Sequence, residues 1–61
     1  MMNTADISAL ARHLYDSEGA KAIAEAAQKA ASSQKSGDRE QARMWQRVEG
    51  ALREMRGAHQ G

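Results

Sequence analysis

The sequence contains no cysteine, no proline and no phenylalanine, and Tyr15 and Trp45 are its only aromatic residues. Without cysteine, neither a disulfide nor a cysteine-ligated zinc ion can stabilise the fold. Without proline, and with few β-branched residues, the chain is rich in residues that favour helix, and no segment alternates with the period of a strand. We therefore predict an all-α fold.

Large apolar side chains are also scarce. The hydrophobic fraction is 41%, but thirteen of these residues are alanine, which buries little area. The 61 residues make one domain at most, and a core of this size is marginal by itself. We therefore predict a single helical domain over residues 1–61 that is completed by a homodimer or by docking on a larger protein partner.

Positive and negative charges are nearly balanced, with nine Lys and Arg residues and eight Asp and Glu residues. The formal net charge is +1 and the sequence pI is about 8.2, which gives no bulk argument for binding nucleic acid or an anionic membrane. No apolar run has the length of a transmembrane helix, and the N-terminus lacks the basic and then apolar layout of a signal peptide. These absences predict no membrane insertion and a cytoplasmic location.

The first helix is predicted to begin after an N-cap at Asn3 or Thr4. Its apolar stripe is formed by three residues at helical spacing: Ile7, Leu10 and Leu14. If the helix continued straight, this stripe would become polar, and the apolar residues would move to the opposite side. The stripe therefore predicts a contact with a partner, because it does not face the same way as the apolar residues that follow.

Two explanations fit this change of face, which occurs at Gly19. Either the chain breaks near the capping-type residues Asp16 and Ser17, or one long helix uses two faces for different contacts. We favour a break, with helices over about residues 4–16 and 19–35. The apolar face predicted for the second helix consists of Ala20, Ile23, Ala27, Ala30 and Ala31.

The polar segment at residues 32–38 marks the boundary between the second helix and the third. Gly37 is predicted to be a left-handed helix terminator, and Asp38 with Gln41 forms a capping-box pattern at the next helix. Two helices joined by so short a turn run antiparallel. The predicted fold is therefore an antiparallel helical hairpin with a short N-terminal helical arm, completed by dimerisation into a helical bundle.

The third helix, predicted over about residues 38–57, has the clearest amphipathic pattern. Gly57 is predicted to end it, before a tail at residues 58–61. Its apolar stripe contains Met44, Trp45, Val48, Ala51, Leu52 and Met55. Three arginines at four-residue spacing line the opposite side: Arg39, Arg43 and Arg47.

The sequence offers no constellation of catalytic groups. His13 and His59 stand alone, and there is no glycine-rich phosphate loop. The carboxylates are interleaved with lysine and arginine, which is typical of a solvated helix surface, and two pairs have the favourable i, i+4 order: Glu25 with Lys29, and Glu49 with Arg53. We predict no enzyme activity, no catalytic residue, no cofactor, no metal site and no small-molecule substrate.

The C-terminal third of the chain carries the pattern G-D-x-x-x-A-x-x-W-x-x-V-x-x-A-L-x-E-M. Its residues are Gly37, Asp38, Ala42, Trp45, Val48, Ala51, Leu52, Glu54 and Met55. This pattern resembles the ending of small helical-hairpin proteins of alphaproteobacteria that have no known activity. The resemblance implies a bacterial helical hairpin and no particular function. The turn alone is similar to that of tetratricopeptide repeats, but the other residues of that repeat are not met.

These features predict an interaction protein, an adaptor or an accessory subunit that self-associates through amphipathic helices. The predicted interface residues are Ile7, Leu10 and Leu14 toward the partner, and Ile23, Trp45, Val48 and Leu52 in a shared core. The alternative is a small dimeric nucleic-acid-binding regulator. In that case phosphates or an acidic partner would be contacted by Arg39, Arg43 and Arg47.

Overall fold

The computed structural model describes residues 4–58, with the side chains of residues 5–57, and these residues form three α-helices. The helices are α1 (Thr4–Glu18), α2 (Lys21–Lys35) and α3 (Arg39–Ala58). No strand occurs in this part of the chain, so the all-α prediction is confirmed. The predicted cap Asn3 and residues 59–61 of the predicted tail lie outside the described residues.

The chain breaks between α1 and α2 at Gly19. This residue has a φ of 66°, a left-handed conformation that favours glycine, and its N–H donates to the Tyr15 carbonyl at 2.7 Å. The alternative of one long helix is therefore wrong. Asp16 and Ser17 do not cap the second helix, because both lie within α1, and α2 begins after Ala20 without a side-chain cap.

A Schellman turn closed by two backbone hydrogen bonds joins α2 to α3. The Gly37 N–H donates to the Gln34 carbonyl at 3.1 Å, and the Asp38 N–H donates to the Ser33 carbonyl at 2.9 Å. Gly37 has a φ of 85°, which confirms the predicted left-handed terminator. Because α2 and α3 are joined by three residues and pack along each other, they run antiparallel.

Asp38 caps the N-terminus of α3. Its Oδ1 accepts a hydrogen bond from the Gln41 N–H at 3.1 Å, which satisfies one of the free donors in the first turn. The Asp38 N–H donates to the Ser33 carbonyl in the turn and so is not the donor for the reverse bond of a capping box. Of the two hydrogen bonds of the predicted capping box, the structure therefore contains the one from the Gln41 N–H to the Asp38 side chain.

The first helix is a full member of the packed structure and not a short arm. α1 has 15 residues, as many as α2, and it packs mainly against α3, with a smaller contact to α2. Ile7 is 6% exposed and Ala11 is 0% exposed, and both belong to the same core as the hairpin residues. Ile7 was predicted to contact a partner, but its apolar surface is removed from water inside its own chain.

The core is small and rich in alanine. The face predicted for α2 is confirmed in part, because Ile23 and Ala30 are buried and Ala27 is partly buried. Ala31 and the preceding Ala20 are exposed, whereas Ala22 and Ala26 are buried. α2 contacts both α3 and α1, and a helix with two neighbours buries a wider arc than one apolar stripe. The predicted stripe of α3 is buried or partly buried throughout, so that prediction is confirmed.

The longest helix, α3, passes through Gly57 and ends at Ala58. Gly57 lacks a positive φ, so the prediction that this glycine terminates the helix is wrong. None of the three described helices is both long and apolar enough to cross a bilayer.

Candidate interaction surfaces

The seven residues predicted to form an interface divide into two groups. Four are buried in the core of the single chain, with exposures of 7% or less: Ile7, Ile23, Val48 and Leu52. The other three pack against that core from its edge and are partly exposed: Leu10, Leu14 and Trp45. Only the second group keeps apolar surface that another molecule can cover.

Six large apolar side chains at the edge of the core are partly exposed, and together we call them the apolar margin. They are Leu10, Leu14 and Tyr15 on α1, and Met44, Trp45 and Met55 on α3. Leu10 and Leu14 are about one helical turn apart and form a ridge on α1. Contact with another protein would remove more of this apolar surface from water.

Trp45 of the apolar margin is approached by a side chain of α2. The Lys29 ammonium nitrogen lies 5.4 Å from the centroid of the Trp45 ring, a cation–π distance. The sequence predicted Lys29 to pair with Glu25, but the structure places the ammonium over the ring. The other predicted pair is confirmed, since Arg53 Nη2 donates to Glu49 Oε2 at 2.8 Å.

Arg39 and Arg43 lie together at the turn end of the hairpin. They line a shallow depression of about 540 Å³, whose other lining residues are Gln34, Gly37, Ala42 and Gln46. Within residues 5–57, neither guanidinium group forms an ion pair with a carboxylate. The depression therefore presents two free positive charges and two amide side chains to solvent.

Arg47 does not share this depression. It continues the four-residue spacing, but helical rotation carries it about 80° around α3 from Arg39. It lines a separate groove of about 710 Å³ between α1 and α3, which we call the α1–α3 groove; the other lining residues are Ile7, Ser8, Gly50, Ala51 and Glu54. The predicted stripe of three arginines is therefore corrected to two different surfaces.

The α1–α3 groove was not predicted, although one signal for it existed. Gly50 lies in the interior of α3, where glycine is less favourable than alanine, and such a residue requires a reason. Ser8 gave no signal, because a serine on an exposed helix position is common. The groove itself depends on how α1 packs against α3, which the spacing of residues does not reveal.

Two carboxyl groups meet across the break between α1 and α2. Glu18 shares a side-chain hydrogen bond with Glu25, and this bond, together with the repulsion between the two charges, raises the pKa of Glu18 above its ordinary value of 4.5. Lys21 and Lys29 act in the opposite direction. The sequence could not indicate this pair, because its members belong to different helices.

The described side chains include no group of three His, Asp or Glu residues placed to share a metal ion. His13 is exposed on α1, and His59 lies outside the described residues. Glu18 is exposed as well, so the carboxyl pair with Glu25 lies at the surface. The absence of enzyme activity and of a cofactor stays a prediction.

No family model, curated protein or solved structure matches this chain. The resemblance of residues 37–55 to helical-hairpin proteins of alphaproteobacteria therefore stays a prediction. The apolar margin, the arginine depression and the α1–α3 groove are the surface features that bear on function.

Proposed function

We propose that this chain is a non-catalytic interaction protein that forms a homodimer. In this proposal the apolar margin binds a different protein partner. The observation that carries this proposal is the balance of burial: within residues 5–57, four large apolar side chains are buried and six are partly exposed. Covering apolar surface contributes about 25 cal/mol per Å². The cytoplasmic location expected from the sequence stays a prediction.

The small core supports self-association. Five of the nine buried core residues described are alanine, so folding of one chain buries little side-chain area. A second copy is a common means of completing so small a core.

The partner contact is proposed at Trp45 and at the ridge of Leu10 and Leu14. Tryptophan is common in the central part of protein interfaces, and the neighbouring Met44 can adapt its shape to a partner. The Lys29 ammonium beside the Trp45 ring adds a positive charge at the edge of this contact. The chemistry favours a partner that presents an apolar side chain next to a carboxylate.

The first test is the solution mass, measured by light scattering across a concentration series with helicity followed in the same samples. We expect a helical species with twice the mass of one chain, with the proportion of monomer rising on dilution. A helical monomer at every concentration would remove self-association from the proposal.

The second test measures whether the apolar margin is open in the assembled protein. A dye that fluoresces on apolar surfaces should bind the wild-type chain, and the double variant Leu10→Asp, Leu14→Asp should bind less of it. Ala31→Asp is the matched control, because Ala31 is exposed on α2 and does not belong to the margin. Absence of dye binding by the wild-type dimer would contradict a free partner surface.

The arginine depression favours a second candidate function, the binding of nucleic-acid phosphates. We propose that Arg39 and Arg43 would contact neighbouring phosphates, because both guanidinium groups lack an ion pair and line one depression. A mobility-shift series at rising salt tests this, since affinity for phosphates falls steeply with salt. The double variant Arg39→Gln, Arg43→Gln should lose binding. Arg53→Gln should keep it, because Arg53 lies about 15 Å along α3 from Arg43 and does not line the depression. No shift at low salt would exclude the candidate.

A further inference from the structure

The α1–α3 groove is not filled by side chains of the same chain at Gly50. A Cβ atom placed on Gly50 would meet no atom within 4 Å, so the fold of one chain leaves room there for a larger residue. Alanine would form the helix better than glycine. A glycine at this position does allow a second helix to approach α3 closely, because the distance between packed helices depends on the side chains at the contact.

Two residues of opposite charge line this groove on α3. Arg47 and Glu54 are seven residues apart, or about 10 Å along the helix axis, and they share one face of α3 with Gly50. Within residues 5–57, neither side chain forms an ion pair. The midpoint between the two charges falls between Gly50 and Ala51.

We propose that the groove is occupied by a second copy of this chain, with the two α3 helices antiparallel about a two-fold axis between Gly50 and Ala51. The inference rests on the self-association proposed above and assigns its position. Arg47 of each copy then faces Glu54 of the other copy, and Gly50 faces Ala51. A two-fold interface is self-complementary, so both charge pairs form together.

The same charges select the direction of packing. A parallel pair of α3 helices would place Arg47 against Arg47 and Glu54 against Glu54, which is repulsive. The antiparallel pair opposes unlike charges at both positions. The positions of the two charges therefore decide between the two orientations.

The groove and the partner surface are on different sides of the molecule. On α1, Leu10 lies about 160° around the helix from the exposed Ser8 and about 60° from the buried Ile7, and on α3, Trp45 lies about 140° from Gly50. A second copy in the groove therefore leaves Leu10 and Trp45 open. The dimer would present two copies of Leu10 and Trp45 to a protein partner, which suits an adaptor.

A charge exchange tests the position of the contact. Arg47→Glu in the full chain should raise the dimer dissociation constant by about tenfold or more, because each dimer loses two attractive pairs and gains two repulsive ones. The double variant Arg47→Glu, Glu54→Arg restores opposite charges across the axis, and its dissociation constant should lie within about threefold of the wild-type value. Arg39→Glu is the control, since it makes the same charge change beyond the paired segment.

The outcomes separate this inference from the proposed function. If the wild-type chain is a dimer that Arg47→Glu does not weaken, or that the double exchange does not restore, the groove is not the interface and self-association stands. If the wild-type chain is a monomer throughout, self-association and its assigned position both fail. Helicity measured in each sample shows that the variants remain folded.

Single cysteines test the geometry, because the chain has none of its own. Gly50→Cys lies beside the proposed two-fold axis and should form a disulfide-linked dimer under mild oxidation. Gly57→Cys lies on the same face of α3, but antiparallel packing separates the two copies of this position by about 20 Å along the axis. Cross-linking at position 57 without cross-linking at position 50 would overturn the antiparallel arrangement.

Discussion

The ammonium group of Lys29 lies 5.4 Å from the centroid of the Trp45 ring and links α2 to α3. Glu25, the expected partner of Lys29 one turn earlier, instead shares a hydrogen bond with Glu18 at the end of α1. The two contacts occur together because packing brings α1 beside α2 and Trp45 beneath Lys29. The sequence indicated an ion pair between Glu25 and Lys29 within α2. In the structure these two residues instead contact side chains of α1 and α3.

Replacement of Lys29 by glutamine should weaken the packing of the hairpin. A partly solvated cation–π contact contributes about 0.5–1 kcal/mol, so the free energy of unfolding in urea should fall by that amount in Lys29→Gln. Lys21→Gln is the control, because Lys21 is also exposed on α2 and has no ring contact. Equal losses in the two variants would show that general charge, and not the ring, is responsible.

The carboxyl pair makes stability depend on pH in mild acid. Because the pKa of Glu18 is raised in the folded chain, the folded state binds this proton more tightly than the unfolded state. Its stabilising contribution is therefore greatest below the ordinary pKa of 4.5 and is lost as pH rises through the raised pKa. The difference in unfolding free energy between wild type and Glu18→Gln should decrease from about pH 4 to pH 7.

Glu40→Gln serves as the control for that titration, since Glu40 is exposed in the first turn of α3. It lies away from the break between α1 and α2. A difference between wild type and Glu18→Gln that grows with rising pH would show that the carboxyl hydrogen bond is not formed.

Two glycine substitutions should have effects of opposite sign. Gly37→Ala places a side chain on a residue with a φ of 85°, which should lower the free energy of unfolding by about 1–2 kcal/mol. Gly50→Ala adds a methyl group in open space within a helix, which should raise it by about 0.5–1 kcal/mol. Both values are measured by urea unfolding at a concentration where the chain is monomeric. A loss of stability in Gly50→Ala would mean that the groove is filled within one chain.

Removal of the cap on α3 should be measurable separately. Asp38→Ala leaves the Gln41 N–H without its partner and should cost about 1 kcal/mol of unfolding free energy. Asp38→Ser keeps a side-chain acceptor at the same position and should restore most of the loss. If serine and alanine behave alike in thermal unfolding, the cap hydrogen bond does not contribute to stability.

The packing of α1 inside the chain predicts unequal effects of two substitutions on that helix. Ile7→Ala opens a cavity in the core and should cost about 2–5 kcal/mol, enough to reduce helicity in so small a protein. Leu10→Ala removes a partly exposed side chain and should cost distinctly less. Circular dichroism during urea unfolding measures both. Equal and small effects would indicate that α1 is a free arm.

Local signals made much of the fold predictable. Gly19 and Gly37 have a positive φ, which terminates the preceding helix. This termination depends on the local backbone and not on contacts with distant residues. Asp38 caps α3 through a hydrogen bond to a residue three positions away. The stripe from Met44 to Met55 was recognisable because helical periodicity alone places its members on one side. In each of these features the interacting groups are close in sequence.

The sequence by itself determined the three helices, their two breaks and the amphipathic face of α3. Tertiary structure alone decided that Ile7 is buried in its own chain, that Arg47 separates from Arg39 and Arg43, and that Glu18 meets Glu25. The physical reason is that helical spacing fixes directions around one axis only. Which side chains contact each other depends on how the three helices pack. That packing depends on the burial of many small side chains along the whole core.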